Sequence, residues 1–438
     1  MAEQMKPSGI DWIGDIPNNW ETSRIKYHYQ ISLGKMLQPI QENSTDTLEH
    51  YMCSANITWA GVDTSILKQM WFSPAEKKQY RLLDGDLLVS EGGDVAVSCI
   101  WRNELDECYL QNAVHRVRQN ALSDNRFIYY WLFFLKNYGI VDLICNKATI
   151  AHFTKEKFGE LPICIMSIDE QVAIADFLDK ECAQIDSIAA DLEKQIELLQ
   201  QYKKSLITET VTKGLDKSVP MKDSGVEWTS KIPCHWEIKR FKYLCEYITD
   251  GSHFSPETTD EGYPYITAAD VKGVGLDYDA AKKISQQDFI SLQKAGCQPR
   301  KGDVLLVKDG ATTGRIGMVT SEKTCVVLSS VAILRAPDNM DARYLRYLME
   351  SDFVQAQIQA SMAGSAMPRT VLSKIINYWG ITCPKEEQKE ICDFLDRKCR
   401  YIETVIETKQ VQQSTIQQHK KSLIYEYVTG KKRVKEVR

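Results

Sequence analysis

The chain has no two adjacent prolines, no Cys-x-x-Cys pair and no apolar run longer than Phe127 to Leu135. Each absence removes a class of protein. A membrane span needs roughly 20 apolar residues, and the opening Met1-Ala2-Glu3-Gln4-Met5-Lys6-Pro7 has no apolar signal core. A cytoplasmic protein without membrane contact is therefore expected. Thirteen cysteines, an odd number without metal-ligand spacing, announce neither a disulfide framework nor a zinc site. Without Pro-Pro there is no Asn/Asp-Pro-Pro-aromatic motif of the kind an adenine methyltransferase uses on a flipped base. The phosphate loop of a nucleotide-driven motor is missing too: its nearest approach, Gly310 to Gly317, has the wrong spacing and no lysine. The seven histidines are scattered, and no carboxylate cluster with a lysine suggests a metal-dependent nuclease. No catalytic role, metal or cofactor is expected of this chain.

What is present is 438 residues, 43% hydrophobic and 26% charged, enough for two or three packed domains. The net charge of −5 neither favours nor excludes a polyanionic partner, because binding depends on local basic faces.

The dominant feature is a tandem repeat. Ser8-Gly9, Trp12, Ile16-Pro17, Trp20-Glu21, Arg24 and Lys26-Tyr27 recur 216 residues later as Ser224-Gly225, Trp228, Ile232-Pro233, Trp236-Glu237, Arg240 and Lys242-Tyr243. At an offset of 217, Glu170 to Thr212 matches Glu387 to Thr429 with 20 identities in 43 positions. Between these ends, Ile31 to Glu160 and Ile248 to Asn377 share little beyond turns such as Gly85-Asp86 and Gly302-Asp303. A constant frame with two different inserts suits a protein that holds two distinct recognition surfaces.

From Glu170 the apolar positions step by four and three through Ile174, Leu178, Ile185, Ile188, Leu192, Leu199, Tyr202 and Leu206, with Glu181 and Gln195 filling the seam. Ser167 and Glu170 make a capping box and Lys213-Gly214 a stop, which predicts a helix near 169–211, roughly 60 Å long at about 1.5 Å per residue. The second copy repeats the seam with Ile391, Leu395, Ile402, Val405, Ile416 and Leu423, and more polar Lys398, Lys409, Gln412 and His419. One helix cannot bury its own stripe, so the two are expected to pair antiparallel. The inserts mix strand patterns (Asp86 to Val89, Val114 to Val117, Val304 to Val307, Val326 to Leu334) with helical stretches (Asn125 to Leu135, Asp341 to Ala360). The fold class expected is mixed α/β (α+β): two pseudo-repeated globular domains separated by two long antiparallel helices forming a coiled coil. The boundaries expected are 1–168, 169–213, 214–384 and 385–430, with a basic tail at 431–438.

Glycine turns let a hairpin tip approach a nucleic-acid backbone or base edge closely. Ser90, Glu91, Gly92 and Gly93 in the first copy, and Lys308, Asp309, Thr312, Thr313 and Arg315 in the second, are candidate DNA-binding positions. A second set precedes each long helix: Asn146, Lys147, Thr149 and His152, then Ser365 and Arg369, small, polar or basic residues suited to phosphate contacts. Lys136, Lys155, Lys157, Arg300 and Lys301 flank these loops.

The layout, carried by Ser8-Gly9, Trp12, Pro17 and Trp20, their repeat at Ser224 to Trp236, and the paired Glu-Gln-x5-Phe-Leu-Asp helices at Glu170 and Glu387, resembles the specificity subunit of type I restriction-modification systems. It departs in one place, since the second helix begins at Cys383-Pro384-Lys385 rather than after the paired prolines common in that family. The resemblance implies two target-recognition domains, each reading half of a split DNA site, spaced by the helices. It implies as partners double-stranded DNA, two modification (methyltransferase) subunits and restriction (translocase/endonuclease) subunits, which would bind S-adenosylmethionine, ATP and Mg. Spacing and partner docking would fall to Ile174, Phe177, Leu178, Ile185, Leu192 and Leu199, and to Ile391, Phe394, Leu395, Ile402, Ile416 and Leu423. The runner-up reading is a non-catalytic adaptor that joins proteins through a coiled-coil spacer.

Overall fold

The computed structural model describes residues 4–145, 153–273, 275–362 and 368–434. Contacts divide the chain into unit 1, Met1–Leu192 with Val411–Arg438, and unit 2, Glu193–Gln410. This division is not the linear one expected from sequence. Each long helix gives one half to each unit, because within a unit the start of one helix lies beside the end of the other.

In unit 1 the strands β1 (Tyr29–Leu33), β2 (Leu87–Ser90), β3 (Ser98–Ile100) and β4 (Val114–Gln119) form an antiparallel sheet in the order β3-β2-β4-β1. The helix α1 (Asn125–Asn137) follows, its first turn capped by the Asp124 carboxylate, which accepts from the Arg126 and Phe127 amides. The longest apolar run of the chain lies in α1, and every one of its residues except Tyr129 is fully buried. Next comes the first long helix, α2 (Ile168–Lys213), with the Glu170 amide donating to Ser167 Oγ.

Unit 2 contains β5 (Tyr247–Asp250), β6 (Val304–Val307), β7 (Ile316–Met318) and β8 (Val331–Arg335) in the order β7-β6-β8-β5, again antiparallel. Its helix α3 (Ala342–Glu350) is capped by Asp341, and the second long helix is α4 (Lys385–Val428). Even the register repeats: Ile31 faces Val117, and Ile248 faces Leu334. The two inserts, which share little sequence, therefore share one topology. Two local expectations are corrected. Val326 to Leu334 is not one strand but two, Val326–Val327 and Val331–Arg335, in different sheets on either side of a turn. Asp341 to Ala360 breaks at the buried Ser351, whose extended backbone separates α3 from a helix at Asp352–Met362.

The repeated frame residues clamp each sheet domain to its long helix. Trp20 Nε1 donates to Glu170 Oε1 at 3.0 Å, and Trp236 Nε1 donates to Glu387 Oε2 at 3.0 Å. Buried Gln171 accepts from the Asp124 amide (3.2 Å) and donates to the Leu122 and Met166 carbonyls (both 3.1 Å). Gln388 accepts from the Asp341 amide (2.9 Å) and donates to the Cys383 carbonyl (2.7 Å). Arg126 reaches Asp176 and Asp179 at 2.6 and 3.0 Å, as Arg343 reaches Asp393 and Asp396 at 2.9 and 2.7 Å. Hydrogen bonding to Asp341 and the neighbouring carboxylates holds Arg343 above its ordinary pKa, so it stays charged.

The seam of the long helices differs from the expected one in phase. Ile174, Leu178, Ile185, Leu192, Ile391, Leu395, Ile402 and Leu423 are buried, and Phe177, Leu199, Phe394 and Ile416 half-buried. Alternate seam places, however, belong to Cys182, Ala189 and Ile196 in α2 and to Cys399, Ile406 and Gln413 in α4, one residue after the expected Glu181, Ile188 and Gln195 and their counterparts. Ile188 and Tyr202 are 49% and 56% exposed. Cys182 and Ala189 are buried where the more apolar Ile188 is not, so apolarity alone does not give the phase. Within unit 1 Lys420 Nζ meets Asp186 Oδ1 at 2.7 Å, and within unit 2 Lys203 Nζ meets Glu403 Oε1 at 2.5 Å, so the helices run antiparallel in each. Each fully buried Leu or Ile on such a seam contributes about 1.5–3 kcal/mol.

Two outcomes follow for stability. Gln388→Ala leaves the half-buried Asp341 amide and the buried Cys383 carbonyl without this partner, so urea unfolding should show a loss of about 2–4 kcal/mol. Glu350 lies 3.6 Å from Arg346, yet burial pushes its carboxyl above the ordinary glutamate value. The folded state then holds the proton more tightly than the unfolded state, and stability falls as pH rises from the ordinary glutamate range to the raised value. Glu350→Gln should remove that fall and melt no lower than the parent at neutral pH; a lower melting point would show that the Arg346 attraction outweighs burial.

Candidate nucleic-acid interface

In unit 2 the described parts of both candidate loops meet at one end of the sheet, and in unit 1 the Ser90–Gly93 loop lies at the equivalent end. In unit 1 the chain leaves β2 at Ser90, whose buried hydroxyl donates to the Gly92 carbonyl at 2.8 Å. The Glu91 amide donates to the Ala113 carbonyl, and the Glu91 carbonyl accepts from the Phe153 amide, both at 2.9 Å. Asn146, Lys147, Thr149 and His152 lie outside the described residues, but the chain that follows them is anchored on Glu91. Behind it, His115 is buried with Nε2 2.6 Å from the Phe153 carbonyl; burial lowers its pKa, so the neutral ring donates.

Unit 2 repeats these bonds. The Lys308 amide donates to the Ser330 carbonyl (2.8 Å), and the Lys308 carbonyl accepts from the Thr370 amide (2.9 Å). Asp309 Oδ1 accepts from Arg369 Nε at 2.9 Å, the Gly310 amide donates to the Pro368 carbonyl, and Thr313 Oγ1 donates to Gly310 and Pro368 carbonyls at 2.7 and 3.0 Å. The Thr312 carbonyl accepts from the Arg315 amide, and Arg315 reaches the Val271 carbonyl at 3.3 Å. Gly314, at φ +95°, sits where a Cβ would stand 2.9 Å from Gln355 Oε1, so the turn closes only around glycine. Ser365 lies outside the described residues.

Two candidate side chains are not where a groove contact requires them. Lys308 is 2% exposed, its ammonium 3.1 Å from Asp250 Oδ2, and it serves as an internal strut. Ser90 likewise spends its hydroxyl inside the turn. A charged residue after a strand reads as a surface residue in sequence; the partner that turns Lys308 inward, Asp250, stands 58 positions earlier. Of the remaining candidates Gly93 and Arg369 are exposed, Arg369 with 56% of its side chain, while Glu91, Gly92, Asp309, Thr312, Thr313 and Arg315 are half-buried. Of the flanking bases, Lys136 pairs with Asp94 and Lys301 with Glu322, and in the tail Arg433 reaches Glu170 at 2.6 Å.

Sequence reasoning missed one element of each edge. In unit 1 a hairpin, Ile57–Thr58 with Gly61–Val62, carries Trp59 at its tip and faces Gly92 and Gly93 across a cleft of about 750 Å³. Unit 2 has the equivalent pairing, Val271–Lys272 with Gly275–Leu276. Thr58-Trp59-Ala60-Gly61 was the available signal, a turn with an aromatic at its tip. The two edges share a backbone and differ in chemistry: apolar walls and Trp59 in one, Thr312, Thr313 and an arginine fork in the other. Such groups can contact base edges or phosphates.

Residues 17–198 and 233–413 match the family model described as type I restriction modification DNA specificity domain. The chain is 22% identical over 435 residues to the type I restriction enzyme MjaVIII specificity subunit of Methanocaldococcus jannaschii, covering 96% of this chain and 95% of that one. It is 24% identical over 349 residues to the EcoBI specificity subunit of Escherichia coli, covering 76% and 71%. Among solved structures it is similar in fold to a chain from work on complex assembly and conformational transition of the type I R-M system, with TM-score 0.72, 13% identity and coverage of 94% and 98%. The HsdS subunit from Thermoanaerobacter tengcongensis gives TM-score 0.51 at 14% identity, covering 95% and 98%.

The loop contacts separate two variants. Lys308→Ala removes the buried ammonium from Asp250, leaving that carboxylate only the exposed His253 at 3.2 Å, and should cost unit 2 about 3 kcal/mol by denaturant unfolding, whereas Arg369→Ala should change stability by no more than about 0.5 kcal/mol. Equal losses would contradict the internal role of Lys308.

Proposed function

Because the chain belongs to the type I restriction modification DNA specificity family, we propose that its two units read two different halves of one split DNA target. The protein is the DNA-recognition subunit of such a system, and the family match favours this over an adaptor. The observation that carries the two-half reading is internal: two sheets of identical order and register, clamped by identical residues, present loop edges of different chemistry. A duplex offers distinct donor and acceptor patterns in its major groove. Different edges on one mount read different patterns from equivalent positions.

In this reading Gly92, Gly93, Thr312, Thr313, Arg315 and Arg369 supply groove and phosphate contacts, while the clamps and helix seam fix their positions. Adenine methylation from S-adenosylmethionine, and ATP- and Mg-dependent translocation and cleavage, belong to modification and restriction subunits that assemble on this chain. The long helices set the distance between half-sites.

Inserting seven residues after Gln195 and seven beside Lys409, which meet at 2.5 Å, keeps the seam in phase and adds about 10 Å of helix. Selection from randomised duplexes at fixed salt should return the same two motifs with the gap longer by about three base pairs, at 3.4 Å each. An unchanged gap would remove the ruler role.

A further inference from the structure

Positions identical in the two copies fall into two groups. Trp20 and Trp236, Gln171 and Gln388, and Asp179 and Asp396 recur because the fold uses them. Tyr27 and Tyr243 also recur, yet they are 67% and 70% exposed. Each follows an identical, exposed lysine whose ammonium lies 5.0 Å from the tyrosine ring. An isolated exposed aromatic means little; the same exposed pair kept in both copies needs a reason.

Internal structure does not supply one. Lys26 pairs with Glu160 in unit 1, but the equivalent position in unit 2 is Asn377, and among the described residues no acid pairs with Lys242. The ion pair that would explain the lysine exists in one copy only. Nor does the reading edge supply one. Strand β1 places Tyr29 opposite Gln119 and Leu33 opposite His115, while Ser90 faces Val114. Tyr27 therefore lies beyond the end of the sheet away from the Ser90–Gly93 loop, about one strand length, roughly 15 Å, from it. In unit 2 Tyr247 faces Arg335 and Val307 faces Val331, which puts Tyr243 at the same far end. The reading edges differ between copies; this end does not.

An aromatic ring beside a cation, repeated once per unit and away from the DNA-reading loops, suits a protein partner that binds twice. We propose that Lys26-Tyr27 and Lys242-Tyr243 are equivalent docking points for the two copies of the modification subunit. The tyrosine is the anchor buried on binding, and the lysine meets a carboxylate of the partner. This rests on the DNA-specificity reading, which supplies the identity of the partner.

The test co-expresses the full chain with the modification subunit and counts bound subunits by native mass spectrometry. The parent should carry two. Lys242→Glu with Tyr243→Ala should carry one, the same changes at Lys26 and Tyr27 should carry one, and the fourfold variant none, with affinity at an altered unit weakened about tenfold or more. Tyr243→Phe, which keeps the ring, should retain two. Because both tyrosines are exposed and no acid pairs with Lys242 among the described residues, melting of the isolated Lys242 and Tyr243 variant should not change, and neither should its salt-dependent duplex binding. Two subunits on the fourfold variant would overturn the proposal while leaving the DNA-specificity reading intact. Loss of duplex binding with full occupancy would overturn it in favour of a phosphate contact. A parent chain that binds no modification subunit would end both the proposal and the partner part of the functional reading.

Discussion

A buried glutamine one turn into each long helix ties the part of the molecule that varies to the part that does not. Gln171 and Gln388 each accept from the amide that begins the helix packed on the sheet, and each donates to the carbonyl chain entering the long helix. An arginine two residues after that capped amide then spans to two aspartates on the long helix, Asp176 and Asp179 or Asp393 and Asp396. Neutral and charged bonds thus hold the sheet from one end. The loops at the other end, Ser90–Gly93 and Lys308–Gly314, can change chemistry without disturbing the attachment. That separation allows one scaffold to carry two specificities.

The repeat, the long helices and the family were legible because they reside in contiguous identities and in local periodicity. Other features were not. Asp86 with Arg118 and Asp303 with Arg335 make the same ion pair in both copies, and Tyr130 and Tyr347 both donate to the second clamp aspartate. Apart from the shared Gly-Asp turn these identities are scattered among differing neighbours, so the inserts read as unrelated although their sheets repeat in order and register. The seam phase was misread because Ile188 and Tyr202 are apolar and exposed, while Ala189 and Cys182 are small and buried. Position on the helix decided burial there, not hydrophobicity. Lys308 was misread because its orientation depends on an aspartate distant in sequence, and side-chain direction at a strand end has no local signature.

A chain whose varied surfaces are loop edges, and whose constant surfaces are clamps and helix faces, selects a position on DNA and presents it. Among the described residues no group of three or more His, Cys, Asp or Glu is arranged to hold a metal, and no helix is long and apolar enough to cross a membrane.

The most direct measurement replaces the first insert, residues 29–160, with the second, residues 246–377, keeping both frames, and determines the target of the resulting complex by selection from randomised duplexes. The account predicts a target in which both halves carry the sequence formerly read by the second unit. A first half that keeps its original sequence would contradict it, because recognition would then lie in the frame.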